Sequence, residues 1–176
     1  MRVPTKPSPA PAVPSRSAGA SAPAPGAPAF APGNHVVQIA ATTSEATANG
    51  EWARTNDVFH NEQSVRATWT ISSQCSYPGE CTGTVSSDQG WSTPIYQTGG
   101  LWYVKHVVPN WITCWDGSTY DGYQVYHFKG MTVGGDMIDP TSDVLVGEDG
   151  TTGPTGACGR SYPLFVNMPF KLAKVS

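Results

Sequence analysis

From Arg66 to Ser73 the chain reads Arg-Ala-Thr-Trp-Thr-Ile-Ser-Ser. Ala67, Trp69 and Ile71 fall on one face, and Arg66, Thr68, Thr70 and Ser72 on the other. This period of two, rich in Thr, predicts a half-buried β-strand. Ser76-Tyr77-Pro78-Gly79 then supplies turn chemistry. From Cys81 to Ser86 the alternation resumes, with Cys81, Gly83 and Val85 opposite Thr82, Thr84 and Ser86. Two such strands across a short Pro-Gly loop predict an antiparallel hairpin.

The pattern continues downstream. Residues 101–108 ("LWYVKHVV") read as a strand introduced by Gly99-Gly100 and stopped by Pro109. Residues 111–115 read as a short strand ending at Asp116-Gly117, and residues 123–129 ("YQVYHFK") as another. Residues 144–146 and 164–166 are shorter candidates, 168–172 a closing edge, and 35–40 an added edge strand. A helix is expected only over residues 55–65, where Asn56 or Asp57 would cap it. Short strands separated by Gly, Pro, Asp and Asn define an all-β chain, an antiparallel β-sandwich or barrel.

The first residues break this pattern. Nine of the sixteen prolines lie between Pro4 and Pro32, interleaved with Ala, Ser and Gly. Such a stretch has no apolar area to offset its ordering entropy, so residues 1–33 are expected to be a disordered Pro/Ala-rich stalk. Fully extended as polyproline II, residues 4–32 would reach ~90 Å at most. Residues 34–176 are expected to form one β domain. Met1 is then read as the start of a truncated chain or of a segment whose membrane anchor lies upstream. The alternative is a native N-terminus that is simply disordered.

Charge divides at the same place. The stalk carries only Arg2, Lys6 and Arg16, whereas all thirteen Asp and Glu lie beyond it with seven Lys and Arg. An acidic domain argues against binding nucleic acid, which needs cations to neutralise phosphates.

Four cysteines, Cys75, Cys81, Cys114 and Cys158, fit an oxidising compartment. Their spacing matches neither a zinc knuckle nor a C-x-x-C redox pair. Three pairings are open to four cysteines. Cys75 and Cys81 flank one tight turn, close enough for a disulfide, which leaves Cys114 for Cys158.

Aromatic residues are the main candidates for a binding surface. Trp69 and Trp102, mid-strand among apolar neighbours, read as core. Trp91, Trp111 and Trp115 flank turns and are the candidate ligand-binding residues. Asp57, His60 and Glu62 lie close enough in sequence for acid/base work or a metal, but a surface His beside carboxylates is usually just solvated. The Gly-rich run around Cys158 resembles the setting of a nucleophilic cysteine, yet the even cysteine count favours its oxidation. Asp136, Asp139, Asp143, Glu148 and Asp149 fit no EF-hand and read as solvated loop carboxylates. No nucleophile elbow, His-Glu-x-x-His or P-loop is present. Neither a catalytic residue, a metal site nor a cofactor is therefore expected.

Two resemblances add to this. Gly50-Glu51-Trp52 is similar to the calycin pattern, in which a tryptophan closes one end of a barrel beneath a basic side chain; Lys171 is the candidate for that partner. More broadly, five motifs occur in order: Gly50-x-Trp52, Trp69-x-Ile71-x-Ser73-x-Cys75, Cys81-x-Gly83-Thr84-Val85, Trp111-x-x-Cys114-x-x-Gly117 and Gly156-Ala157-Cys158-Gly159. Together they resemble small extracytoplasmic domains of mycobacteria and their relatives. Those domains end some membrane-anchored serine/threonine kinases and some proline-rich membrane or secreted proteins. The resemblance implies a Pro/Ala-rich stretch between a membrane helix and the domain, and it carries no catalytic residues over.

The expected role is a non-enzymatic extracytoplasmic binding, sensor or accessory domain of the cell envelope. Its partner would be an envelope ligand or envelope protein, with the membrane reached through an upstream anchor. The alternatives are a wall-modifying hydrolase using Asp57, His60 or Glu62, and a ligand-free structural subunit of an envelope complex.

Overall fold

The structure is a computed structural model; it describes residues 38–56, 58–132 and 134–175. The stalk, residues 35–37 of the expected edge strand, and Asp57 lie outside the described residues.

Among the described residues, ten strands form one antiparallel sheet. They are β1 (Gln38–Ala48), β2 (Ala53–Thr55), β3 (Val58–His60), β4 (Val65–Tyr77), β5 (Glu80–Ser87), β6 (Ser92–Thr98), β7 (Leu101–Thr113), β8 (Thr119–Gly130), β9 (Val144–Thr152) and β10 (Phe165–Lys174). Going round the sheet the order is β1-β4-β5-β6-β7-β8-β9-β10, and β10 pairs back onto β1. The eight strands thus close into a barrel, which leaves no edge among them. Of the two architectures that the alternation allows, the barrel is the one formed.

Alternation along the strands decides what fills it. Ala46, Trp69, Ile71, Val85, Ile95, Val104, Tyr126, Phe128, Phe170 and Leu172 point inward and form one buried core. Trp69 is central at 1% exposure. It meets Tyr126 edge-on at 4.9 Å between ring centroids and lies 5.2 Å from Phe170. Offset and edge-to-face pairs of this kind add to simple burial. The interior is mostly apolar, while Thr68, Thr70, Ser72, Thr82, Thr84 and Ser86 face out exposed. A membrane-spanning barrel has the opposite arrangement.

Two disulfides tie the barrel. Cys75–Cys81 joins directly opposed residues at the end of the β4–β5 hairpin. Cys114–Cys158 joins the turn after β7 to the segment before β10. Its partner Cys158 has φ +53°, a left-handed conformation that costs a non-glycine residue energy.

Three local expectations are corrected. The helix over residues 55–65 is absent: Ala53–Thr55 and Val58–His60 pair as a hairpin, and 61–64 are irregular. The cause is tertiary. β10 outruns β1, and β2 pairs with the overhang, Val166 opposite Thr55 and Asn167 opposite Arg54. Asn56, the expected cap, instead turns the chain at φ +46°. Pro109 does not end the strand at 101–108 either. β7 runs on to Thr113 through an irregularity between Val108 and Ile112, so residues 111–113 continue it. Finally, residues 168–172 are no edge, since they pair with β9 on one side and β1 on the other.

Candidate functional site

The three turn tryptophans occupy three different settings. Trp91, between β5 and β6, is half-buried; it lies over His106 at 4.2 Å and 17° and meets Trp69 edge-on at 5.3 Å. Trp111 is half-buried in a notch left by two glycines, Gly122 and Gly153. A Cβ on Gly122 would come within 2.8 Å of the Trp111 ring. Trp115, one residue after Cys114, is 93% exposed. Among the described residues, none of the three stacks on another of them.

Behind Trp91 the barrel holds a polar cluster that turn-based reading does not reveal. His106 and Gln124 are directly opposed across β7 and β8, as are Tyr126 and Asp149 across β8 and β9. Asp149 is 2% exposed, and the Gln124 amide donates to both its carboxylate oxygens, at 2.7 and 2.9 Å. Burial pushes the Asp149 carboxyl up to about 7, against the downward pull of the Gln124 hydrogen bond. Burial, with the Asp149 charge adding to it, likewise raises the Tyr126 hydroxyl far above its ordinary range. His106 is shifted the other way, below its ordinary value, because desolvation disfavours its cation. Its Nε2 is buried beside Gln124 and makes no well-aligned hydrogen bond.

Glu148 and Asp149 are therefore not loop carboxylates. Both sit within β9, and alternation sends Asp149 inward and Glu148 outward, where Glu148 accepts from Asn167 at 3.0 Å and lies 3.7 Å from Arg54 and His127. Asp136 and Asp139 are held by local hydrogen bonds from Thr132 and Thr141, which lower both carboxyls. No three His, Cys, Asp or Glu among the described residues gather as metal ligands.

The hydrolase candidates meet only in part. His60 Nε2 lies 3.0 Å from Glu62 Oε1 and 3.3 Å from Thr55 Oγ1 at the exposed end of the β2–β3 hairpin. His60 is raised above its ordinary value, first by its contact with the Val58 carbonyl and then by Glu62. This favours the imidazolium form of a partly exposed side chain.

The calycin pattern takes another form here. Gly50–Trp52 is a short 3-10 turn, and Trp52 is 61% exposed instead of plugging the barrel. Gly50 is the buried residue, because a Cβ there would collide with the Glu62 carbonyl. Lys171 is exposed on β10. The cleft lined by Ala46, Ala67, Trp69, Tyr126 and Phe170 encloses about 10 Å³, space for at most one water.

No protein-family model and no curated protein matches the sequence. In structure, the chain is similar to the monomer form of the Mycobacterium tuberculosis PknI sensor domain. The TM-score is 0.54 and the identity 12%, over 81% of this chain and 90% of that one. At that identity the likeness concerns the fold alone.

Proposed function

We propose that the chain is a non-enzymatic sensor or binding domain of the mycobacterial cell envelope, held outside the membrane on its Pro/Ala-rich stalk. The observation that carries this reading is the fold shared with the PknI sensor domain across most of both chains. Two disulfides suit an oxidising, extracytoplasmic compartment. Recognition would use the outer surface or the rim, where Trp91, Trp111 and Trp115 remain the proposed ligand-binding residues. The partner is an envelope ligand or an envelope protein.

The test is purification of the anchored, full-length protein from membranes under mild detergent, with analysis of sugars, lipids and proteins that elute with it. The reading expects one component at near-stoichiometric amount, lost when the domain is reduced and unfolded. An eluate without such a component, together with turnover of isolated cell wall by the purified chain, would favour the hydrolase.

A further inference from the structure

The outer wall of the barrel over β6, β7 and β8 departs from the Thr- and Ser-rich surface of β4 and β5. Val104 and Ile95 point inward, so alternation and register place Tyr96 opposite Tyr103 on the outside, Lys105 opposite Val125, and Val107 opposite Tyr123. Tyr96 and Tyr103 stack at 5.2 Å and 16°. The Lys105 ammonium lies 5.6 Å over the Tyr96 ring. Its pKa is raised, first by a hydrogen bond with Tyr96 and then by the nearby Tyr96, Tyr123 and Tyr103. No carboxylate lies within ion-pair distance of Lys105 among the described residues.

Charge sets this wall apart from the rest of the domain. Thirteen acidic residues face seven basic ones beyond the stalk, yet the outward positions of β7 and β8 carry Lys105, His127 and Lys129 against one acid, Asp121, which accepts from the Asn110 amide near the start of β8. On the neighbouring β9, Glu148 is already held by Asn167 and flanked by Arg54 and His127.

We propose that this wall is a binding site for an anionic polysaccharide, one bearing carboxylate or phosphate groups. Tyrosine rings stack on the C–H faces of sugar rings, their hydroxyls reach sugar hydroxyls, and Lys105 receives the anion. Size favours a saccharide over a protein. Three strands span ~10 Å and Tyr103 to Val107 ~13 Å, giving an area of ~130 Å² where a stable protein partner covers ~800 Å² per side. This inference rests on reading the chain as a binding domain, and names the ligand class and the surface.

Affinity electrophoresis of the folded full chain tests it, in gels containing polygalacturonate, phosphomannan, neutral dextran or polyglutamate. Retardation is expected by polygalacturonate or phosphomannan, whichever anion the wall accepts, and not by dextran or polyglutamate. Lys105→Gln, at an exposed position, should weaken binding at least tenfold; Tyr103→Leu should do the same, and Arg66→Gln, exposed on β4 and off this wall, should not. Equal retardation by polyglutamate would reduce the site to a non-specific charge effect and overturn the proposal, as would unchanged binding in Lys105→Gln or no retardation by either acidic glycan. Sedimentation with isolated envelope separates the two levels. Equal envelope binding by wild type and Lys105→Gln overturns this wall and leaves the binding reading standing, whereas no envelope binding by either overturns the reading itself.

Discussion

Gln124 donates its side-chain amide to both oxygens of Asp149 inside the barrel, at 2.7 and 2.9 Å. No cation lies within ion-pair distance of that carboxylate among the described residues. The barrel consequently holds a proton on Asp149 more tightly than the unfolded chain does.

That difference predicts a pH dependence of unusual sign for an aspartate. The folded carboxyl stands at about 7 against an ordinary 3.8, so between these values the native state binds the extra proton. Its contribution is fully present below about pH 4 and is lost as pH rises through 7, on the order of 4 kcal/mol in all. His106, lowered by burial, acts oppositely: its part is present above its unfolded value of 6.5 and is lost as pH falls through its lower folded value. Chemical denaturation of Asp149→Asn should show higher stability than wild type at pH 8 and a value within ~1 kcal/mol of it at pH 4. Parallel stability curves for the two proteins would remove Asp149 as the source.

The tryptophans should separate by setting. Trp69→Ala opens a cavity at the centre of the core and should cost about 3–5 kcal/mol. Trp115→Ala, at a 93% exposed position, should change stability by less than ~0.5 kcal/mol. Trp91→Ala should fall between them, since Trp91 covers His106 and touches Trp69. Equilibrium unfolding in urea gives the order, and a large loss at Trp115 would contradict this account of the turn after β7.

The disulfides should differ in weight. Cys75–Cys81 closes a separation of 6 residues and Cys114–Cys158 one of 44, which by loop entropy corresponds to ~2 and ~4 kcal/mol. Paired Cys→Ala variants should reproduce that order in their melting temperatures. Equal losses would mean that packing alone holds the segment before β10 to the body.

The surface pair His60–Glu62 separates binding from hydrolysis. Glu62→Gln should lower the His60 pKa, because one of the two contacts raising it is weakened, and it should leave envelope binding unchanged. Two-dimensional NMR titration of the imidazole follows the first effect. Loss of a wall-degrading activity in that variant would revive the hydrolase.

The β4–β5 hairpin was legible because Trp69, Ile71 and Val85 alternate strictly with Thr and Ser, and a Pro-Gly turn divides them. β6 and β9 were not. Pro94 interrupts "STPIYQT", and "GEDG" in β9 has the composition of a loop. Their neighbours explain both. Pro94 lies outward opposite Thr84, and Gly147 is required because a Cβ there would collide with the His127 carbonyl. The turn tryptophans were visible as residue types, but their burial was not, since it depends on His106, Gly122 and Gly153. His106, Gln124 and Asp149 come together only through the register of β7, β8 and β9.

The central claim is that this barrel binds the envelope and does not process it. The direct measurement is a sedimentation isotherm of the oxidised chain on isolated mycobacterial envelope, with soluble sugar and peptide assayed in the same tubes. The account predicts saturable binding, lost after reduction and alkylation, with no rise of soluble fragments over time. Fragments that accumulate with time, or the absence of any saturable binding, would contradict it.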